Sequence, residues 1–152
     1  MITVRLLKFA GPKRHSVIGL FDETNAAEVL VYPEAGQLLR VSGLHGYGTK
    51  LYPQSLDELT SDILSALEEN GYGETTETIE GETFDDIEEA ISYIKDVVLV
   101  ELDEVSKDLV ADLDSSIADA KQELEELKDK RKKTFLFINK FRGRSNETGK
   151  QE

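Results

Sequence analysis

The chain has 152 residues, 39% of them hydrophobic, and a formal net charge of −13. That is enough apolar material for one modest core, too much for a wholly disordered chain, and too acidic for whole-chain nucleic-acid binding. The absence of cysteine excludes disulfides, thiol catalysis and thiolate metal sites, the apolar runs such as Val97-Val98-Leu99-Val100 are too short to span a bilayer, and Arg5 and Lys8 interrupt any signal-peptide pattern, so a cytoplasmic location is expected.

Residues 1–72 read as a β-rich head. Ile2, Val4 and Leu6 alternate with Thr3 and Arg5, the period of a half-buried strand. Gly11-Pro12 marks a turn, and Val17 to Phe21 gives a second strand. Asp22 to Asn25 is the next turn, Val29 to Tyr32 a third strand, and Gln37 to Val41 a fourth after Pro33-Glu34-Ala35-Gly36. Short strands at such regular spacing predict an antiparallel meander. A helix is available to cover it over residues 56–70. Ser55 and Glu58 form a capping box, Leu56, Leu59, Ile63 and Leu67 fall on one stripe beside Ala66, and Asn70-Gly71 predicts a left-handed stop. Residues 73–83 carry no hydrophobic period and read as an acidic loop.

Residues 84–142 change character, with no Gly or Pro between Gly81 and Gly143. Phe84, Ile87, Ile91, Ile94 and Val98 keep helical spacing behind a Thr83 cap. Leu102, Val105, Leu109, Leu113 and Ile117 continue in mostly four-residue steps, and Ala120, Leu124, Leu127, Arg131, Thr134, Ile138 and Phe141 alternate threes and fours as a coiled-coil seam does. One helix through all of it would be roughly 85 Å long at about 1.5 Å per residue. The β-branched residues of Val97–Leu102 and a cap at Asp103 favour a break, with helices over 84–100 and 104–141 and residues 97–102 as a short strand or a joint. The outcome would be an antiparallel hairpin or a self-associating stalk. Residues 143–152 read as a disordered tail.

The motif-like segment Ser42–Lys50 has glycines at P-loop spacing, Gly43 and Gly48. Its order is Gly48-Thr49-Lys50, with Pro53 where a helix should run, so it reads as a glycine-rich connection. His15 and His45 lie in or near turns, and neither has a second histidine at ligand spacing. Asp85 and Asp86 suit the positive end of a helix better than acid–base work. No nucleophile–base pair can be placed, so no enzyme, metal or cofactor is expected.

Charge is segregated along the chain. Residues 1–53 hold 6 basic and 4 acidic side chains, residues 54–127 hold 3 and 24, and residues 128–152 hold 9 and 3. Within the acidic stretch, Asp85, Glu88, Glu89, Asp96, Glu101, Glu104, Asp108 and Asp112, with Asp103, Asp114 and Asp119, are read as lying mainly off the apolar stripe. Such an array solubilises, or it presents a surface to a basic protein partner, even one that normally binds nucleic acid, by imitating phosphate charge. Small acidic inhibitors encoded by phages and mobile elements work in this way, an analogy of charge alone. The basic, aromatic stretch Lys128–Arg144 can bind anionic polymers or membrane surfaces; its aromatics are read as packing into the core or a partner helix.

The fold class expected is α+β: a small N-terminal antiparallel sheet with a packing helix, then a long acidic helical hairpin or coiled-coil region. The function expected is a non-enzymatic interaction module with an acidic face for a basic protein, direct nucleic-acid binding not being favoured. The alternative is an assembly protein that oligomerises through Leu109, Leu113, Ile117, Leu124, Leu127 and Ile138.

Overall fold

The computed structural model describes residues 1–71 and 79–145. Five strands, β1 (Ile2–Phe9), β2 (His15–Phe21), β3 (Ala26–Val31), β4 (Leu39–Ser42) and β5 (Glu82–Phe84), form one antiparallel sheet in the order β4-β3-β2-β1-β5. Two helices, α1 (Leu56–Glu69) and α2 (Ile87–Ser145), complete the α+β fold. The chain falls into two units, Met1–Val110 and Ala111–Glu152.

The first unit contains the core. Register places Val4 beside Leu20, Leu20 beside Ala27, Ile18 beside Val29, and Val29 beside Val41 on one sheet face. Onto these α1 lays Leu59, Ile63, Ala66 and Leu67, while the first part of α2 lays Ala90, Ile91, Ile94, Val98 and Val105. The sheet's period of two and the helices' 3–4 spacing thus meet in a single apolar cluster. Leu6 and Leu56, expected inside, are 37% and 40% exposed; Leu6 lies beyond the stretch of β1 that β5 pairs with, and Leu56 is the first residue of α1.

Local chemistry fixes the turns. Asp22 Oδ1 accepts from the amides of Thr24 and Asn25, at 2.9 and 2.6 Å, closing the β2–β3 turn. Ser55 Oγ accepts from the Glu58 amide at 3.1 Å, while the Glu58 carboxylate reaches one residue further back than a simple capping box, to the Gln54 amide at 2.6 Å. Asn70 does not adopt the expected left-handed stop. Its backbone is extended (φ −114°, ψ 90°), and its side-chain amide donates to the Ala66 carbonyl at 2.8 Å, satisfying a terminal acceptor directly.

The acidic loop of residues 73–83 lies largely outside the described residues, as does most of the tail over 143–152; of the latter, residues 143–145 belong to α2. Phe84 is not the first residue of a helix. It pairs with Ile2 as the end of β5, Thr83 is a strand residue, and Asp86 caps α2 by accepting from the Glu88 amide at 3.1 Å. Gly81 packs so closely on β1 that a Cβ there would collide with the Val4 carbonyl. Gly81→Ala is expected to dislodge β5 at a cost of about 1–3 kcal/mol, read by urea unfolding; an unchanged midpoint would refute the close approach.

The break expected near residues 97–104 is absent. α2 is continuous from Ile87 to Ser145, so there is neither a strand at 97–102 nor a hairpin. β-Branched residues in a helix cost only about 0.7 kcal/mol or less each, whereas burying Val98 returns about 1.5–3 kcal/mol.

On α1, burial first and the neighbouring Glu58 second raise the Asp62 carboxyl above the ordinary Asp value. The folded state therefore holds this proton more tightly than the unfolded chain, and ionisation costs stability as pH rises through the window above that value. Asp62→Asn is expected to raise the thermal midpoint at neutral pH, with the gain vanishing in acid. An equal gain at every pH would show that the charge is not responsible.

Candidate functional site

The proposed acidic array divides in two. Asp85, Glu88, Glu89, Asp96, Asp108 and Asp112 are exposed, as the sequence suggested. Glu101 is not: it is 2% exposed and belongs to the buried stripe Ile94-Val98-Glu101-Val105. The stripe passes through Glu101 because Val98 and Val105 lie three residues before and four after it, while Leu102 sits beside the core, half-buried. Ser16 Oγ donates to Glu101 Oε1 at 2.5 Å, and Lys8 Nζ stands 3.3 Å from Oε2. Glu104, half-buried, pairs with Arg14 at 2.8 Å and with Lys8 at 3.6 Å. These two carboxylates therefore fasten α2 to the β1–β2 hairpin and are spent inside the molecule.

Lys8, Arg14 and Ser16 were not singled out by the sequence reading, yet a signal existed. Lys8 continues the inward series Ile2-Val4-Leu6, and Ser16 begins the inward series Ser16-Ile18-Leu20. Register sets the two side by side. Polar residues at inward positions of adjacent strands call for a polar partner from the covering layer.

The glycine-rich segment is a short 3-10 turn, Leu44–Gly46, followed by Gly48. His45 (φ 58°), Gly46 (φ 80°) and Gly48 (φ 77°) are left-handed. Its donors face the protein's own carboxylates: the His45 amide points to Glu28 Oε1 at 3.3 Å, and the Thr49 amide and hydroxyl both lie 3.1 Å from Glu69 Oε1. A Cβ on Gly43 or Gly48 would come within 2.6 or 2.5 Å of the Asn70 side chain, so both glycines serve close packing against the end of α1. A shallow pocket of about 380 Å³ beside the turn is lined by His45, Tyr47, Glu69 and Asn70 among others. Glu69 stands in its wall, and the turn's His45 and Thr49 amides already face carboxylates. His15 lies elsewhere, stacked on Phe9 with ring centroids 4.9 Å apart on the outer sheet face.

The second unit presents the other candidate. Leu113, Ile117, Leu124 and Leu127 are between 44% and 57% exposed, and Ile138 is half-buried; Leu109, also half-buried, belongs to the first unit. Of the two expectations for the aromatics, the core or a partner helix, the first does not hold: Phe135, Phe137 and Phe141 are 57–67% exposed, because within this unit a single helix has no second layer to cover them. Phe137 and Phe141 stack on each other, at 6.1 Å, through their one-turn spacing. Interspersed ion pairs, Lys128–Glu125 at 3.6 Å and Lys133–Asp129 at 3.0 Å, are local to the helix surface.

No family model, curated protein or solved structure matches this chain, so its functional reading rests on geometry. Among the described residues no helix is long and apolar enough to cross a membrane.

Proposed function

We propose that this chain is a non-enzymatic protein-interaction module that works by helix pairing, its α+β unit held together by the core and its distal helix engaged by another helix. The observation that carries this reading is the ladder of leucine and isoleucine side chains from Leu113 to Leu127, half open to solvent at coiled-coil spacing. Each such side chain gains about 1.5–3 kcal/mol when covered, a driving force that the described unit leaves unspent.

A second reading has its own support. Glu88, Glu89 and Asp96 are exposed on the acidic part of α2, Asp85 is exposed just before it, and none of the four makes an ion pair among the described residues. They suit a basic protein surface, including one built for nucleic acid, and electrostatic association of that kind is fast and falls steeply with salt. One experiment separates the two. The tagged chain is used for capture across a salt series, alongside Leu124→Asp/Leu127→Asp and a charge-reversed Glu88→Lys/Glu89→Lys/Asp96→Lys/Asp108→Lys chain. Helix pairing predicts loss with the leucine variant and persistence at high salt. The acidic-face reading predicts loss with charge reversal and with salt. Capture that depends on neither set overturns both.

A further inference from the structure

We infer that the partner of residues 111–140 is the same segment of a second copy, running antiparallel, with the two-fold axis at the level of Glu125 and Glu126. This rests on the helix-pairing reading above and goes beyond it in naming partner, direction and register.

Three observations converge on that arrangement. The first is spacing. Leu113, Ile117, Ala120, Leu124, Leu127, Arg131, Thr134 and Ile138 follow one another by alternating steps of four and three on a helix with no interruption. Reversing the direction of this series maps it onto itself. Leu124 then meets Leu127 of the second copy, Ile117 meets Thr134, and Leu113 meets Ile138, each contact occurring twice. A self-complementary face of this kind is what a two-fold interface requires.

The second is charge. Residues 111–125 carry five acidic side chains and one basic, whereas residues 126–140 carry six basic and two acidic. The halves are thus −4 and +4. Antiparallel pairing lays each on its opposite, while parallel pairing lays like on like along the whole contact. On one flank Glu123 faces Lys130 of the second copy. On the other Lys121 faces Lys128 of the second copy, a like-charged contact softened because Lys128 already pairs with Glu125 at 3.6 Å.

The third is the polar residue in the seam. Arg131 occupies a position where coiled coils carry apolar residues, and such a residue selects register. In a parallel in-register pair it would face its own copy, two cations in a closed seam. Antiparallel, it faces Ala120 of the second copy, the smallest side chain in the series, which leaves room for the guanidinium stem to lie across the seam and its head to reach the acidic half.

The test uses the full chain. Light scattering on the wild-type protein is expected to give twice the 17.0 kDa chain mass. Because the chain has no cysteine, introduced thiols report on position alone. Leu113→Cys and Ile138→Cys chains, mixed and oxidised, are expected to form the mixed disulfide, with neither linking to itself. Ready self-linking of Leu113→Cys would show a parallel pair, overturning this inference while leaving helix pairing standing. A mass equal to one chain at every concentration would also overturn it; the capture experiment above then decides separately whether the seam takes a different helix. Circular dichroism of each variant confirms that loss of linking is not loss of fold.

Discussion

Leu124→Asp combined with Leu127→Asp is expected to abolish helix pairing while the Met1–Val110 unit melts as before. Both leucines stand at the middle of the seam, half exposed in the single chain, and neither contributes to the apolar cluster beneath the sheet. Covering each is worth about 1.5–3 kcal/mol. Losing both weakens association by several kcal/mol, more than about a hundredfold in the dissociation constant. Sedimentation and the concentration dependence of the helical signal read the effect. Unchanged mass together with an unchanged melting profile would defeat the assignment of this stripe to a contact.

Glu101 carries the second large effect, and its sign depends on what is changed with it. Ser16→Ala alone leaves a buried carboxylate without its hydroxyl donor and is expected to cost about 1–3 kcal/mol. Glu101→Ala alone strips a packed side chain and strands the serine, costing about 2–5 kcal/mol by analogy with other large-to-small core changes. Ser16→Ala with Glu101→Met removes both polar groups while keeping volume, and is expected to recover most of that loss, because a buried ion pair is replaceable by well-packed apolar groups. Lys8, about half exposed, is free to turn to water in the double variant. Urea unfolding of the three proteins gives the answer. A double variant as unstable as the two single changes added together would show that the carboxylate is structurally required and not merely satisfied.

The elements legible from sequence were those whose period is local. β1 to β4 and α1 each announce themselves by alternation or by a stripe with a cap. β5 does not: three residues, Glu82-Thr83-Phe84, gain strand identity only from pairing with β1, some eighty positions away in sequence. Phe84 sits at helical spacing from Ile87 and Ile91, so pattern alone enrols it in the helix, and only the Asp86 cap marks the true start. The Glu101 site was obscured by Leu102. Two adjacent residues compete for one face, hydropathy alone selects the more apolar, and the deciding fact is the pair Lys8 and Ser16 waiting on the sheet. The exposed seam was legible as a pattern; that it lies uncovered within its own unit is a property of the folded chain.

The sheet ends on both sides in short strands, three residues in β5 and four in β4, and Leu51 bridges to Val41 across the β4 side. Short borders are poor templates for adding further strands, since a newcomer gains few main-chain hydrogen bonds before the ladder runs out. Growth by sheet extension is therefore disfavoured from the outset. A self-complementary helix contact, once made, is saturated. Association through the proposed two-fold contact would accordingly be finite, ending at a counted complex, where a longer border on the same sheet would have invited fibres.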